Sequence, residues 1–324
     1  MFQRFLALAS NAFVETIRQP IYGVILLATA LLMIFNVSLA AFTLEDDDKL
    51  LLDLGLSTLL LSGLFLASFS AGGILGREIE NKTVLTVISK PVSRTLFVLG
   101  KFVGLLGALV LACYLCDLVF ILAVRHGVMQ RSSDPWDAPV LVFGFGSLFI
   151  SIVAAAFCNY FYARNFSTTV LAFVTVLLTL SVVLIGKLDE HWEVIPFASN
   201  FVGGQVFLAA YLVMLAIIVT AAVALAASTR FGQLMTLLTS TAVLGMGIAS
   251  DYAIGRHAGT SHTAAFLYRI IPNVGPFWVV DSLISETRTV VTFQYIGYAT
   301  TYALLLTGGI LSLAIIAFQR REVG

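Results

Sequence analysis

Eight long apolar runs separated by short polar stretches set the pattern of this chain. They cover roughly 20–42, 54–76, 95–124, 140–162, 168–186, 205–228, 233–254 and 293–318. Each is about long enough, at ~1.5 Å per residue, to cross ~30 Å of hydrocarbon as a helix. The third has residues to spare and predicts a tilted or projecting helix. The fifth is the shortest; with the fourth it makes either two full spans or one bent, re-entrant pair. Ahead of the runs, Phe2, Phe5, Leu6, Ala9, Phe13 and Ile17 recur at helical spacing, with Gln3, Arg4, Ser10, Asn11, Glu15 and Arg18 on the other side. Residues 2–19 are therefore expected to form an amphipathic helix, too polar to cross and suited to the membrane interface. Pro20 ends it and starts the next helix. The predicted fold class is all-α: a polytopic transmembrane helical bundle, one domain over residues 1–324.

Two interruptions are longer than a simple turn. The first, Arg77 to Lys101, opens with Arg77, Glu78, Glu80, Asn81, Lys82 and Thr83 and continues through a short apolar-periodic piece to Lys90-Pro91. Its charges cannot lie in hydrocarbon, where each costs on the order of 2.5–3.5 kcal/mol on insertion scales. The second, 255–292, carries Phe266, Tyr268, Ile270, Ile271, Phe277, Trp278, Val279 and Val280 around Pro272 and Pro276. Two short helices at the outer interface, where aromatic residues collect, fit it best. Pro272, Phe277 and Trp278 are the candidate outer-gate residues.

Composition agrees with the pattern. Of 324 residues, 59% are hydrophobic and 11% charged, against about a quarter charged in soluble domains. Lys plus Arg equals Asp plus Glu, 18 each, so no bulk field attracts nucleic acid, and no local basic cluster does so either. With both termini inside, the cytoplasmic segments hold Arg4, Arg18, Arg77, Lys82, Lys90, Arg94, Lys101, Arg164, Arg230, Arg320 and Arg321, and the outer segments hold the remaining seven basic residues. Basic residues favour the inside, which places Arg77–Lys101 in the cytoplasm. The expected location is a plasma (bacterial inner) membrane.

Candidate chemistry is sparse. No phosphate-cradling loop accompanies Gly100-Lys101 or Gly186-Lys187, and there is no metalloprotease motif or nucleophile elbow. His126, His191, His257 and His262 fall in different outer segments and read as surface residues. Cys113 and Cys116 form a C-x-x-C inside an apolar run, without a second pair; they read as small packing residues. No catalytic, cofactor-binding or metal-binding residue is expected. Asp117 is the one acid well inside an apolar run. It is either an ion relay or a side chain near the outer end of its helix that snorkels or faces the bundle interior. Gly72-x-x-x-Gly76 and Gly100-x-x-x-Gly104 flank the charged stretch and offer close approach between the second and third spans, or a subunit contact.

The run REIENKTVLTVISKPVSRTLFVLGK, Arg77 to Lys101, closely resembles the cytoplasmic segment after the second span of ABC-2 type transporter permeases. Glu78, Glu80, Thr83, Leu85, Ser89, Pro91, Val92, Ser93, Arg94, Gly100 and Lys101 match that pattern; Lys82 stands where a Gly often precedes the Thr. The amphipathic N-terminal helix resembles the family's elbow helix. Pro272-Asn273, Phe277 and Asp281 through to Phe318-Gln319-Arg320-Arg321-Glu322 resemble its closing segment. The family core has six spans, against eight runs here. The resemblance implies the membrane half of an ABC exporter, paired with a second permease copy or paralogue and driven by a separate ABC ATPase that supplies the ATP and Mg2+ chemistry. It implies a coupling helix over 77–92 docked on that ATPase. Glu78 and Glu80 suit the positive end of the helix dipole, and Val84, Leu85 and Ile88 offer an apolar face to a partner groove. Pro91 ends the helix and turns the chain toward Arg94 and the third span. The substrate expected by analogy is a lipid, drug-like or other amphipathic molecule. The alternatives are an ATP-independent carrier or channel, which needs intramembrane ionisable partners for Asp117, and a membrane-embedded enzyme using outer-loop His, Asp and Glu.

Overall fold

The computed structural model describes residues 2–41, 47–76, 93–128, 136–196, 205–257, 259, 261–280 and 291–320. Ten α-helices are seen among them: α1 (Phe2–Arg18), α2 (Pro20–Ala40), α3 (Asp47–Ala71), α4 (Arg94–His126), α5 (Ala138–Tyr162), α6 (Phe166–Ile185), α7 (Gln205–Ser228), α8 (Gln233–Ala253), α9 (His262–Ile270) and α10 (Phe293–Gln319). All but α1 and α9 are long and apolar enough to cross a membrane. The protein is a multi-pass helical bundle. Among the described residues the extended pairing is an isolated bridge between Leu188 and Val194.

The element boundaries match the polar punctuation. Pro20 opens α2, where its missing N–H costs nothing. Ser93, Asp137, Asn165 and Thr292 cap α4, α5, α6 and α10 by accepting a bond from a backbone N–H three residues on. Ala163 closes α5 in the left-handed region at φ 51°. The pair α5 and α6, of 25 and 20 residues, forms two full antiparallel helices. Of the two alternatives, the structure shows two continuous helices, each long and apolar enough to cross a membrane, joined by the three-residue elbow at 163–165.

Eight alternating spans bring both chain ends to one end of the bundle, here the near end. Arg94 meets Gln319 there, and Phe97 stacks on Phe318 with ring centroids 5.7 Å apart. The far end holds His126, Asp137, Asp251 and Phe293.

Between helices in lipid there is little hydrophobic drive, so close packing and polar contacts hold the bundle. The central helix, α7, shows this most clearly. In its most apolar 18-residue stretch 72% of the residues are buried, against 28% or less in those of α2, α5, α6, α8 and α10. Ala209, Ala210, Ala216, Ala221, Ala222 and Ala224 are all buried on it. Small side chains on every face let α3, α4, α8 and α10 approach together. Polar residues inside the spans are largely satisfied locally. Thr29, Thr220 and Ser240 bond the carbonyl four residues back. Others tie helices: Tyr22 Oη donates to the Ala108 carbonyl at 2.8 Å, and Asn36 Nδ2 to Thr58 Oγ1 at 3.1 Å.

The glycine spacing works differently from expectation. Gly100 and Gly104 on α4 face α1 rather than α3. A Cβ on Gly100 would lie 2.8 Å from Leu8 Cβ, and one on Gly104 would clash with the Ala9 carbonyl oxygen and Ala12 Cβ. Gly72 meets Gln233 of α8, and Gly73 the side chain of Gln19. The amphipathic helix must bury Ala9, Ala12, Thr16 and Ile17 without a facing side chain, and only glycine backbone gives that room. Gly104→Ala is therefore expected to destabilise the protein by about 1–3 kcal/mol. Gly146→Ala, with nothing within 4 Å, should be neutral. Thermal unfolding in detergent compares the two, and equal midpoints would rule out the close α1–α4 seam.

Candidate functional site

The expected coupling residues Arg77, Glu78, Glu80, Asn81, Lys82, Thr83, Val84, Leu85, Ile88 and Pro91 lie outside the described residues; Arg94 lies within them. The structure does show the frame on which that stretch begins and ends. It begins after Gly72–Gly76, where α3 closes in a π turn. Such a turn inserts one extra residue and re-aims the chain beyond it, and is frequent at functional sites. The stretch ends at Ser93, whose Oγ accepts from Leu96 N at 3.2 Å and so fixes the start of α4.

Five elements meet around these two points. Gln19, between α1 and α2, reaches Gly73. Gln233, at the start of α8, reaches Gly72, and the Phe231 carbonyl of the α7–α8 elbow lies 4.0 Å from a Cβ built on Gly76. Arg94 Nη1 donates to the Gln319 carbonyl at 2.7 Å, joining the start of α4 to the end of α10. A positive side chain on the last carbonyls of a helix is favourable. Two turns on, Lys101 Nζ lies 3.1 Å from Glu15 Oε2 of α1, with the lysine side chain 2% exposed. Lys101 also stands 5.8 Å from the Phe97 ring centroid. The Gly100-Lys101 pair thus seats α1: the glycine admits its backbone and the lysine holds its carboxylate. Sequence reading missed that role. The signal was present, because Glu15 is the acid on the amphipathic helix and Lys101 is a cation carried into an apolar run.

The far end carries a polar latch. Tyr268 Oη of α9 donates to Asp251 Oδ1 of α8 at 2.6 Å, and Asn273 Nδ2 donates to the same oxygen at 2.7 Å. Asn273 also accepts from Gly275 N at 2.8 Å and donates its own N–H to Tyr302 Oη of α10 at 3.1 Å. Tyr295 Oη donates to the Pro276 carbonyl. Gly247 of α8 allows the approach: a Cβ there would be 2.6 Å from the Pro272 oxygen. Of the candidate gate residues, Pro272 lies over α8. Phe277 is a buried core residue whose ring is 5.9 Å from Tyr302, and Trp278 packs half-buried against the core. They lie in one segment that straps α8 to α10.

Asp117 lies nine residues before His126, on the far-end half of α4. Its Oδ1 is buried without a hydrogen-bond partner. Cys113 and Cys116 are buried free thiols beside it. Among the described residues no group of three His, Cys, Asp or Glu could hold a metal ion. His126 stacks edge-on to Trp136, and His191 lies near Asp189 and Glu190.

Compared with known proteins, the chain matches no family model and no curated relative.

The latch has a pH signature. The hydrogen bond to Asp251 holds the Tyr268 phenol above its ordinary value of 10.0, because ionising it would turn the donor into a second anion beside the carboxylate. A group raised in the folded state contributes stability below its unfolded value and loses it as pH climbs through the folded one. Tyr268→Phe should lower the unfolding midpoint by the equivalent of about 1 kcal/mol. That deficit should be constant through neutral pH and should shrink above roughly pH 10. A deficit that instead disappears on acidification from neutral pH would show that the phenol is not the titrating partner.

Proposed function

We propose that the chain is the permease subunit of an ATP-driven ABC transporter of the ABC-2 type, energised by a separate ATPase docked on residues 77–92. The observation that carries the reading is the Arg77–Lys101 sequence: an acidic first turn, an apolar face, and Ser-x-Pro-Val-Ser-Arg leading to Gly-Lys. Its structural setting supports it. The stretch leaves a π turn in α3 and re-enters at a capped, cross-tied α4. A push on it is delivered to two spans at once, and through Lys101, Arg94 and Gln233 to α1, α10 and α8. That suits rigid-body coupling, in which closure of the ATPase pair tilts packed helices between two arrangements.

In this reading the near end is cytoplasmic, as the distribution of basic residues favours. The far-end strap then lies on the outer face and moves with α8 and α10. A second permease copy or paralogue completes the pathway, and ATP and Mg2+ belong to the partner. Export of an amphipathic substrate rests on analogy with the family alone.

Charge reversal at Glu78 and Glu80, or Leu85→Asp, should detach the ATPase while the permease still inserts. Co-purification of the ATPase with a tagged permease and permease-stimulated ATP hydrolysis measure this, and both should fall at least tenfold, about 1.4 kcal/mol or more of lost docking energy. Unchanged co-purification with all three substitutions would sink the coupling role. Asp117→Asn in the same assay addresses the carrier alternative. Loss of transport with ATPase coupling irrelevant to it would favour that alternative.

A further inference from the structure

A wedge opens at the far end between α2 and the α5–α6 pair. α2 packs on α3 and α4, whereas α5 and α6 pack on each other and lean on the far-end half of α4. The space left between them is a pocket of about 270 Å3. Val119, Leu122 and Ala123 of α4 form its back, Val140, Gly144 and Leu148 of α5 one wall, and Ile34 and Val37 of α2 the other. Ile34, Phe145 and Trp136, all exposed, stand around its open side. The polar groups in the lining are Ser38, His126 and the Trp136 indole.

The top is built. His126 and Trp136 meet edge-on, with ring centroids 6.3 Å apart at 86°. Their neighbours in sequence, Arg125 and Asp137, form an ion pair. Arg125 Nη2 also donates to the Leu188 carbonyl at 3.2 Å, and Asp137 caps α5 through Val140 N at 3.2 Å. The ion pair locks the end of α4 to the start of α5, and the aromatic pair beside it roofs the pocket. Among the described residues, Arg125 and Asp137 offset each other's charge beside the roof.

We propose that this pocket binds a single long alkyl chain, drawn sideways from the leaflet at the far end. Its depth fits. Leu148 lies ten residues into α5, roughly 15 Å from the helix start at 1.5 Å per residue, which is about half of a ~30 Å hydrocarbon core. Its lining fits, because an apolar cavity does not hold water and takes apolar ligands instead. Its volume, about 270 Å3, falls just below the ~300–1,000 Å3 usual for drug-sized ligands, which suits one chain rather than a multi-ring molecule. A whole helix, roughly 10–12 Å across with its side chains, is too wide to enter it. The site goes beyond the ATP-driven reading and does not depend on it.

The test uses the purified full-length permease in phosphatidylcholine vesicles containing a small fraction of phosphatidylcholine with a photoreactive diazirine on one acyl chain. A parallel sample carries a photoreactive free fatty acid instead. After illumination, adducts are mapped by mass spectrometry. Labelling of 119–123 and 140–148 is expected to exceed severalfold that of Leu304 and Leu305, which are 65% and 72% exposed on α10. Ala123→Phe, filling the back, and Ser38→Phe, at the exposed mouth on α2, should each reduce pocket labelling severalfold and leave Leu304 and Leu305 unchanged. Ser38 faces outward, so that variant is expected to fold even where Ala123→Phe does not. Capture of either probe supports the site, and the two samples tell a membrane phospholipid from a free fatty acid as its source. Labelling spread evenly over the exposed helices, or pocket labelling unchanged in folded Ser38→Phe, overturns the proposal.

Discussion

The seam between α1 and α4 is the contact on which the near end depends. A helix too polar to cross a membrane gains little by lying against one that does, unless the two backbones come close. Gly100, Gly104 and Gly107 give α4 a flat face, and Leu8, Ala9, Ala12 and Phe13 settle onto it. Lys101 then reaches Glu15 from a position where an ammonium without a carboxylate beside it would be costly. Close backbone approach makes the ion pair short, and the ion pair fixes the register of the approach. The same logic, with alanine in place of glycine, holds α7 among its neighbours.

Much of this fold was legible in the chain. Apolar runs of about twenty residues can do little but cross a bilayer as helices, because every backbone group in lipid must be bonded within the segment. The observed spans therefore begin and end close to the runs, with caps at Ser93, Asp137, Asn165 and Thr292. Which faces meet was not legible. A Gly-x-x-x-Gly spacing announces a close contact without naming the partner, and here the partner of Gly100 and Gly104 is α1, not α3. Hydrophobicity does not help, since lipid-facing and core-facing residues are equally apolar. The discriminating signals were single polar residues: Glu15 against Lys101, Arg125 against Asp137, and Asp251 against Tyr268 and Asn273.

The candidate site divides in the same way. The charges of Arg77–Lys101 mark a segment unsuited to hydrocarbon, and that is a property of local sequence. What the structure adds is non-local. The Arg94–Gln319 bond and the Gln233–Gly72 contact join residues 225 and 161 positions apart, and no periodicity in one segment forecasts them. Asn273 is similar. In sequence it comes after a proline in an aromatic outer stretch; in the fold it bonds Asp251, Tyr302 and Gly275 and so decides how α8 and α10 are strapped.

The two ends of the bundle are built on different principles, and the contrast bears on how it could work. The near end is tied by glycine contacts and by single long side chains, each spanning two elements. The far end carries a multiply bonded strap over α8 and α10, whereas between α2 and α5 the described residues leave a pocket. A tilt of α3 and α4 driven from the near end would therefore meet resistance at the strap and little at the wedge. The hairpin α5–α6 rests on α4 through a small apolar cluster of its own, separate from the main core. Motion of α4 would change the wedge first. A pocket there is thus placed where a membrane component would sense, or be moved by, whatever is done to the segment between α3 and α4.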